Sequence, residues 1–164
     1  MKGYTFKTYD QEHMARAIGM ALPISFKQSV EICSFIKNKN VSEVKKILEK
    51  VAEKKVAIPF KRYNWDLGHK KKIGPARYPE KASKEFIKLI ENVEANAQFK
   101  GLNTSNLIIA HISAHKAGKA MHFGRKSRRR MKRTNVEIIV EEKAKKAEYK
   151  KEIKNKQEQK VKKE

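Results

Sequence analysis

The sequence has a single cysteine, Cys33, among its 164 residues, and so lacks the second thiol that a disulfide needs. A zinc site built on cysteines is excluded for the same reason. Chains without disulfides are typical of reducing compartments. Cysteine usage therefore favours a cytoplasmic protein.

Long apolar runs are missing as well. No stretch approaches the roughly 18 apolar residues of a membrane span. The best candidate for a secretory signal, residues 17–24, is short, contains Pro23 and lies inward of the start. We therefore expect a soluble protein with no segment inserted in a membrane. In such a chain the Asn-x-Ser triplets at Asn40 and Asn103 predict turns and helix caps rather than glycosylation.

Acidic residues are scarce: the chain has 18 Asp and Glu but 40 Lys and Arg, which gives a formal net charge of +22. Hydrophobic residues make up 39% of the chain, which is enough for one modest core. A charge this one-sided repels itself in the folded state, and binding to a polyanion relieves that repulsion. Nucleic acid is the leading class of partner, ahead of an anionic membrane surface.

Catalytic motifs are absent from the sequence. It has no phosphate-cradling glycine motif, no nucleophile elbow and no pair of acids at a suggestive spacing. His111 and His115 could share one face of a strand, but a zinc ion would need further donors. The sequence therefore predicts a protein that is not an enzyme and carries no metal or other cofactor.

The positive charge is concentrated in three segments. Residues 54–84 carry a net charge of +8, residues 116–133 a net charge of +9 and residues 143–164 a net charge of +6, which leaves the rest of the chain at −1. A solubility-promoting surface would mix both signs instead. The distribution predicts a nearly neutral folded body with three basic appendages, of which residues 116–133 best fit a polyanion contact.

Apolar residues at helical spacing predict three helices in the body. Ser25 and Gln28 match a capping box for the first helix, and Ser42 is the predicted cap of the second. The third runs from Pro79, which suits a first-turn position, to a stop at Gly101. Its apolar face is predicted to comprise Ala82, Phe86, Leu89, Ile90, Val93 and Ala97.

Strand patterns follow the helices along the chain. Leu107–Ile112 is apolar and β-favouring, and residues 136–141 alternate between apolar and polar side chains with Ile139 as the exception. Tyr4–Tyr9 is a further candidate strand. This order predicts an α+β fold in which about three helices pack on a small antiparallel sheet. We expect residues 1–142 to form a single RNA-binding domain.

Residues 107–142 are predicted to form a long β-hairpin with the most basic segment at its tip. If each arm holds roughly 13 residues it spans on the order of 45 Å, against a radius of gyration of roughly 14 Å for a chain of this length. Because an isolated two-stranded ribbon is marginal in water, we expect a protruding tip that is mobile until an anionic surface encloses it.

The side chains of this hairpin suit RNA. Guanidinium groups bind phosphates bidentately and stack on bases, and the hairpin offers Arg125, Arg128, Arg129, Arg130 and Arg133. Met121, His122 and Phe123 are candidates for insertion against unstacked bases. For Phe123, packing across the two strands is an equal alternative.

Residues 54–78 form an inserted basic loop without a periodic pattern of their own. Aromatic and basic residues alternate through Ile58–Trp65, a mixture that favours RNA contact over a flexible spacer. The alternative for Trp65 is a lid over the core. The Lys-rich extension, residues 143–164, has helical propensity but no apolar face, so we expect it to be helical or disordered and to become a helix on phosphates in a complex.

Several motifs resemble the large-subunit ribosomal protein family L twenty-two in its archaeal–eukaryotic branch, with the archaeal type favoured. In chain order the matching motifs are Ser25-Phe26-Lys27, Ile58-Pro59-Phe60-Lys61, Gly68-His69-Lys70, Arg77-Tyr78-Pro79-Glu80-Lys81-Ala82, Glu91-Asn92, Asn96-Ala97, Gly101 and Ala114-His115-Lys116. The resemblance covers about residues 4–142. The hairpin tip departs from it by lacking the proline expected there.

The resemblance implies a structural constituent of the large subunit of the cytoplasmic ribosome, without catalytic residues, that supports subunit assembly. It implies contacts with large-subunit ribosomal RNA, with neighbouring ribosomal proteins and, where Lys119–Arg133 would line the exit tunnel, with the nascent polypeptide. The RNA-binding residues that we predict are Lys27, Lys61, Arg62, Tyr63, His69, Lys70, Lys71, Lys72, Arg77, Tyr78, Lys81, Lys116, Lys119, His122, Arg125, Lys126, Arg128, Arg129, Arg130, Lys132 and Arg133.

A DNA-compacting architectural protein is the alternative function, because a basic hairpin can also grip the minor groove. Many such proteins are dimers, whereas a ribosomal component is expected to be a monomer outside the ribosome. Oligomeric state and preference between ribosomal RNA and duplex DNA therefore discriminate the two functions.

Overall fold

The computed structural model describes residues 4–142, so the predictions for the extension at 143–164 lie outside the described residues. One strand precedes the first two helices, three short strands lie between the second and third helices, and two long strands follow the third helix. Their bounds are β1 (Met14–Leu22), α1 (Phe26–Ile36), α2 (Val41–Ala52), β2 (Ile58–Pro59), β3 (His69–Lys70), β4 (Gly74–Arg77), α3 (Glu80–Phe99), β5 (Leu107–Lys116) and β6 (Thr134–Glu142).

The main sheet is antiparallel, with strands in the order β1-β6-β5. The central strand β6 turns Val136, Ile138 and Val140 into the core, where they join buried residues of all three helices. Alternation along β6 therefore sorts its residues between the two faces as the sequence predicts. The predicted α+β class is confirmed, and no described helix is long and apolar enough to cross a membrane.

The longest helix, α3, matches its prediction closely. All six residues of its predicted apolar face are buried. Gly101 takes a φ of +77° after the last turn, and the amides of Gly101 and Leu102 donate to Gln98 and Ala97 in a Schellman arrangement. Pro79 occupies the N-cap position rather than the first turn.

Two predicted helix caps need correction. Ser25 is at the N-cap of α1, but its side chain makes no capping hydrogen bond. In α2 the cap is Asn40 and not Ser42, since the Asn40 side chain accepts from the Ser42 amide at 2.9 Å. Asn103 likewise accepts from the Ser105 amide at 3.1 Å, so both Asn-x-Ser triplets are capping turns as predicted.

The first strand differs from the sequence prediction. Tyr4–Tyr9 is not a strand, and β1 instead comprises Met14–Leu22, which pairs with β6 from Met14 opposite Glu141 to Leu22 opposite Thr134. Six of the nine residues of this segment are alanine, glycine or methionine, which have little β preference. Pairing with the edge of β6 outweighs that weak local signal.

The inserted segment is not a structureless loop, and the prediction of a single sheet was incomplete. β2, β4 and β3 form a second small antiparallel sheet, in which Ile58 pairs with Arg77 and His69 with Pro75. Phe60 is buried in the main core and its amide donates to the Pro75 carbonyl at 2.9 Å. The basic side chains of this segment therefore project from an ordered backbone that is packed against the main core.

The pairing of β5 with β6 ends at Lys116 opposite Thr134. Their 10 and 9 residues are fewer than the roughly 13 per arm that the sequence predicts. Beyond the ends of β5 and β6, irregularly spaced backbone hydrogen bonds still join the two chain segments. Met131 N donates to Ala120 O at 2.8 Å, and His122 N donates to Arg129 O at 2.8 Å. We call residues 117–133 the basic arm.

Candidate nucleic-acid interface

A groove of about 360 Å³ lies where the start of α1, the inserted segment and the base of the basic arm meet. We call it the aromatic–basic groove. Among the described residues that line the groove, every charged residue is cationic. These cations come from three separate segments of the chain. Lys27 is in α1, Arg77 is in β4 and Lys132 is in the arm. Folding therefore brings together cations that are far apart in sequence.

A second depression of about 380 Å³ adjoins the first, since Gln28 and Arg77 line both. Lys54, Lys70 and Tyr78 also line it, and Glu80 is its acidic member. The Lys70 ammonium lies 5.6 Å from the centre of the Tyr78 ring. The two depressions make one continuous, predominantly basic surface across the inserted segment.

A buried carboxylate organises the rim of the aromatic–basic groove. Glu31, only 2% exposed, accepts hydrogen bonds from the backbone amides of Lys61, Arg62 and Tyr63 at 3.0, 2.9 and 2.8 Å. These charge-assisted hydrogen bonds fix the backbone of the turn at residues 61–63, and they thereby restrict the positions of the three side chains. Sequence reasoning missed Glu31, although an acid between Val30 and Ile32 in an apolar helix was a signal.

Aromatic rings and cations are interleaved along this rim. The half-buried Tyr63 ring has the Lys27 ammonium and the Arg62 guanidinium each 5.6 Å from its centre. Phe26 meets Tyr63 edge-on at 6.5 Å and carries the Lys116 ammonium at 5.5 Å. These cation–π contacts keep the positive groups beside flat apolar surfaces, which suits a ligand with both phosphates and bases.

Trp65 and Phe123, for which the sequence left packing roles open as alternatives, are both exposed. Trp65 is 86% exposed, so it is not a lid over the core. Phe123 is 87% exposed, so it does not pack against the opposite chain segment of the basic arm. The alternatives of a lid for Trp65 and of cross-strand packing for Phe123 are therefore wrong, and each ring is open to a ligand.

The predicted RNA-binding residues occupy three places in the structure. Lys27, Tyr63, Arg77 and Lys132 line the aromatic–basic groove, and Lys70 and Tyr78 line the second depression. Lys61, Arg62, His69, Lys71 and Lys72 are exposed on the inserted segment, and Lys81 is exposed in the first turn of α3.

The remaining predicted residues lie along the basic arm and its base. Lys116, Lys119, Arg125, Lys126, Arg128, Arg129 and Arg130 are exposed, whereas His122 and Arg133 are half-buried. The Arg133 guanidinium donates to the Ala21 carbonyl at 2.9 Å, so this cation ties the arm to the end of β1. Arg133 therefore has a structural contact that the other arm arginines lack among the described residues.

The two strand histidines lie on the far face of the main sheet, where they meet a buried acid. Glu137 is 2% exposed, and its Oε1 lies 2.9 Å from Nε2 of His111 and accepts from Ser113 Oγ at 2.8 Å. The amide and hydroxyl of Thr5 also donate to this carboxylate. Burial raises the pKa of Glu137, but these hydrogen bonds outweigh it and lower the pKa to about 2.

We expect Glu137→Gln to remove a pH-dependent part of the stability. Because the folded-state pKa lies below the ordinary value of 4.5, the charged form stabilises the fold above pH 4.5, and this contribution is lost as the pH falls towards 2. At pH 6 the variant should lose about 1–3 kcal/mol in urea unfolding, with the difference shrinking near pH 2. Glu141→Gln, on the same strand, is the control, and parallel stability curves for wild type and Glu137→Gln would contradict the assignment.

Comparison with known proteins gives a consistent result across the described residues. The sequence profile of the family described as Ribosomal protein L22p/L17e matches residues 17–142. Large ribosomal subunit protein uL22 of Archaeoglobus fulgidus is 42% identical over 147 residues, which cover 84% of this chain and 94% of the relative. Large ribosomal subunit protein uL22 of Staphylothermus marinus is 40% identical, and the match covers 85% of this chain and 96% of the relative. That of Thermoplasma volcanium is 42% identical, and the match covers 87% of this chain and 98% of the relative.

Proposed function

Since the chain belongs to the ribosomal protein L22p/L17e family, in its archaeal type, we propose that it binds large-subunit ribosomal RNA through the aromatic–basic groove and the basic arm. Members of this family are structural constituents of the large subunit of the cytoplasmic ribosome and not enzymes. The chain is such a constituent, and the proposal concerns which of its surfaces meet the RNA.

The convergence at the aromatic–basic groove carries this proposal. Lys27, Tyr63, Arg77 and Lys132 come from three separate segments of the chain, namely α1, the inserted segment and the basic arm, and they line one groove. The groove adjoins the basic arm, whose residues 117–133 include eight Lys and Arg and no acid. Phosphate binding by such a surface releases condensed counterions, which supplies affinity without base-specific contacts. Aromatic side chains beside the cations add surfaces for bases.

The two candidate nucleic acids can be separated by competition. We expect the purified protein to sediment as a monomer and to bind large-subunit ribosomal RNA at least about tenfold more tightly than duplex DNA of equal length at physiological salt, because folded RNA offers unpaired bases as well as phosphates. A lysine-rich peptide of equal net charge is the control for charge alone. A dimer that binds both nucleic acids equally would favour the DNA-compacting alternative.

We further propose that the basic arm lines the nascent-peptide exit tunnel and meets the nascent polypeptide. The exposed, acid-free tip at residues 119–130 fits a path through packed phosphates, because only there is its self-repulsion neutralised. Neighbouring ribosomal proteins would contact the folded body.

This tunnel proposal predicts a site-specific cross-link. A photoreactive amino acid at Phe123, incorporated into assembled ribosomes, should cross-link to a stalled nascent chain, because this side chain is exposed at the arm's tip. The same group at Phe99, which is 94% exposed at the end of α3, should give no such product. Equal cross-linking from both positions, or none from Phe123, would contradict the tunnel position.

A further inference from the structure

We propose that the aromatic–basic groove takes one unstacked nucleotide of single-stranded RNA, with its base on the Trp65 indole and its phosphates on Lys27, Arg77 and Lys132. This inference rests on the proposed RNA-binding function and specifies its ligand. Trp65 is the chain's only tryptophan and is 86% exposed at the groove. Tryptophan is highly buried on average, so an indole this open is an unusual feature for a folded domain.

The composition of the groove matches the two halves of a nucleotide. Lys27, Arg77 and Lys132 supply positive charge, and Trp65, Tyr63 and Leu67 supply apolar surface. An indole is a platform on which any base can stack, because every base has a π face. The volume of about 360 Å³ is in the range of pockets that hold one small ligand, which is too small for a duplex.

The turn that carries Trp65 is held in place before any ligand arrives. Glu31 anchors the backbone of residues 61–63, two residues upstream, and the Leu67 amide donates to the Asn64 carbonyl at 3.3 Å across the turn. Asp66 is exposed beside Trp65 but is not among the residues that line the groove. A platform held in this way loses less conformational freedom on binding, which favours affinity.

The chemistry favours an unpaired base over a helix. In the interior of an A-form duplex the bases are stacked on one another and the deep groove excludes side chains, so a base face is free for an indole only at the two ends. A bulged or looped nucleotide presents both a free base face and flanking phosphates. The groove therefore selects single-stranded positions, whereas the exposed cations of the arm can contact either form.

Trp65 also reports on its own ligand, because its fluorescence is the only indole signal in the chain. The full-length protein is titrated with an eight-nucleotide single-stranded RNA of mixed sequence and with a blunt RNA duplex of the same length, at fixed salt. Binding of each is followed separately by anisotropy of a label on the RNA. We expect the single strand to quench Trp65 and the duplex to bind without comparable quenching.

Substitution then tests whether the indole contributes to affinity. Trp65→Ala should weaken single-strand binding by about ten- to a hundredfold and leave duplex binding unchanged, while Trp65→Phe should keep part of the affinity. Phe99→Ala removes another exposed aromatic outside the groove and is the matched control. Because both side chains are exposed, neither substitution should alter the thermal unfolding midpoint.

The possible failures are distinguishable. If both RNA forms bind with salt-dependent affinity but neither quenches Trp65 nor responds to Trp65→Ala, the nucleotide site is overturned while the proposed RNA-binding function stands. Equal quenching by strand and duplex would overturn the selectivity for an unstacked base. If neither RNA binds at physiological ionic strength, the proposed function itself fails.

Discussion

Glu31→Gln is expected to lower the free energy of unfolding by about 2–4 kcal/mol and to release the turn at residues 61–63. The carboxylate accepts from three backbone amides through its two oxygens, whereas a carboxamide has one accepting oxygen and an amino group that faces a donor. At least one of these three partly buried hydrogen bonds is then lost. Urea unfolding measures the loss of stability, and hydrogen exchange at residues 61–63 localises it.

The matched control for this substitution is Glu91→Gln, which makes the same chemical change at an exposed position of α3. It should change stability by less than about 0.5 kcal/mol. Since the turn carries Lys61, Arg62 and Tyr63, the Glu31 variant should also bind RNA more weakly than the control variant does. Unchanged amide protection at residues 61–63 in Glu31→Gln would show that the carboxylate is not the anchor of this turn.

Replacing Arg128, Arg129 and Arg130 together with alanine is expected to weaken RNA binding by about 10- to 100-fold at low salt. It should also reduce the slope of log affinity against log salt by about two to three, since each phosphate contact releases a little under one counterion. The three side chains are exposed in the basic arm, so the unfolding midpoint should stay at its wild-type value. Filter binding over a series of salt concentrations measures affinity and slope in one experiment.

A charge-matched control separates position from total charge. Lys46, Lys50 and Lys88 are exposed on α2 and α3, outside the arm and the inserted segment, and their triple alanine variant loses the same three charges. We expect its salt slope to change by much less than that of the arm variant. If the control loses as much affinity as the arm variant, binding follows net charge rather than the arm. A collapse of the unfolding midpoint in the arm variant would show that the arm is part of the core.

The local patterns of the sequence were reliable where burial repeats along one element. The apolar stripe of α3 has the helical period, and the alternation in β6 has the strand period, so each pattern states which side chains are buried without reference to any partner. Cys33 likewise lies among the buried residues of a helix, α1. It is buried within the apolar part of α1, where burial raises the pKa of its thiol to about 12, and it forms no disulfide within the described residues.

Patterns failed where a distant segment decides the local structure. β1 consists mostly of weak strand formers and is stabilised as a strand by its pairing with β6. The choice of Asn40 over Ser42 as the cap of α2 also depends on a distant partner. The link before this helix is bound to β5, with Asn38 N donating to Ile109 O at 2.9 Å and Ile109 N donating to Lys39 O at 3.0 Å. That pairing sets where the helix begins, and either residue type could have capped it.

The candidate site divides in the same way. Charge segregation into a neutral body and basic segments, the mixture of aromatic and basic residues in the insert, and the family motifs are all properties of composition and order. The sequence alone therefore predicted a nucleic-acid partner and determined the family. The groove itself was decided only by the tertiary structure. Its cations lie on segments up to about a hundred residues apart in the chain, and its rim depends on a buried acid that bonds to backbone amides thirty residues away. No local pattern encodes such distances, because they follow from how the helices and the two sheets pack together.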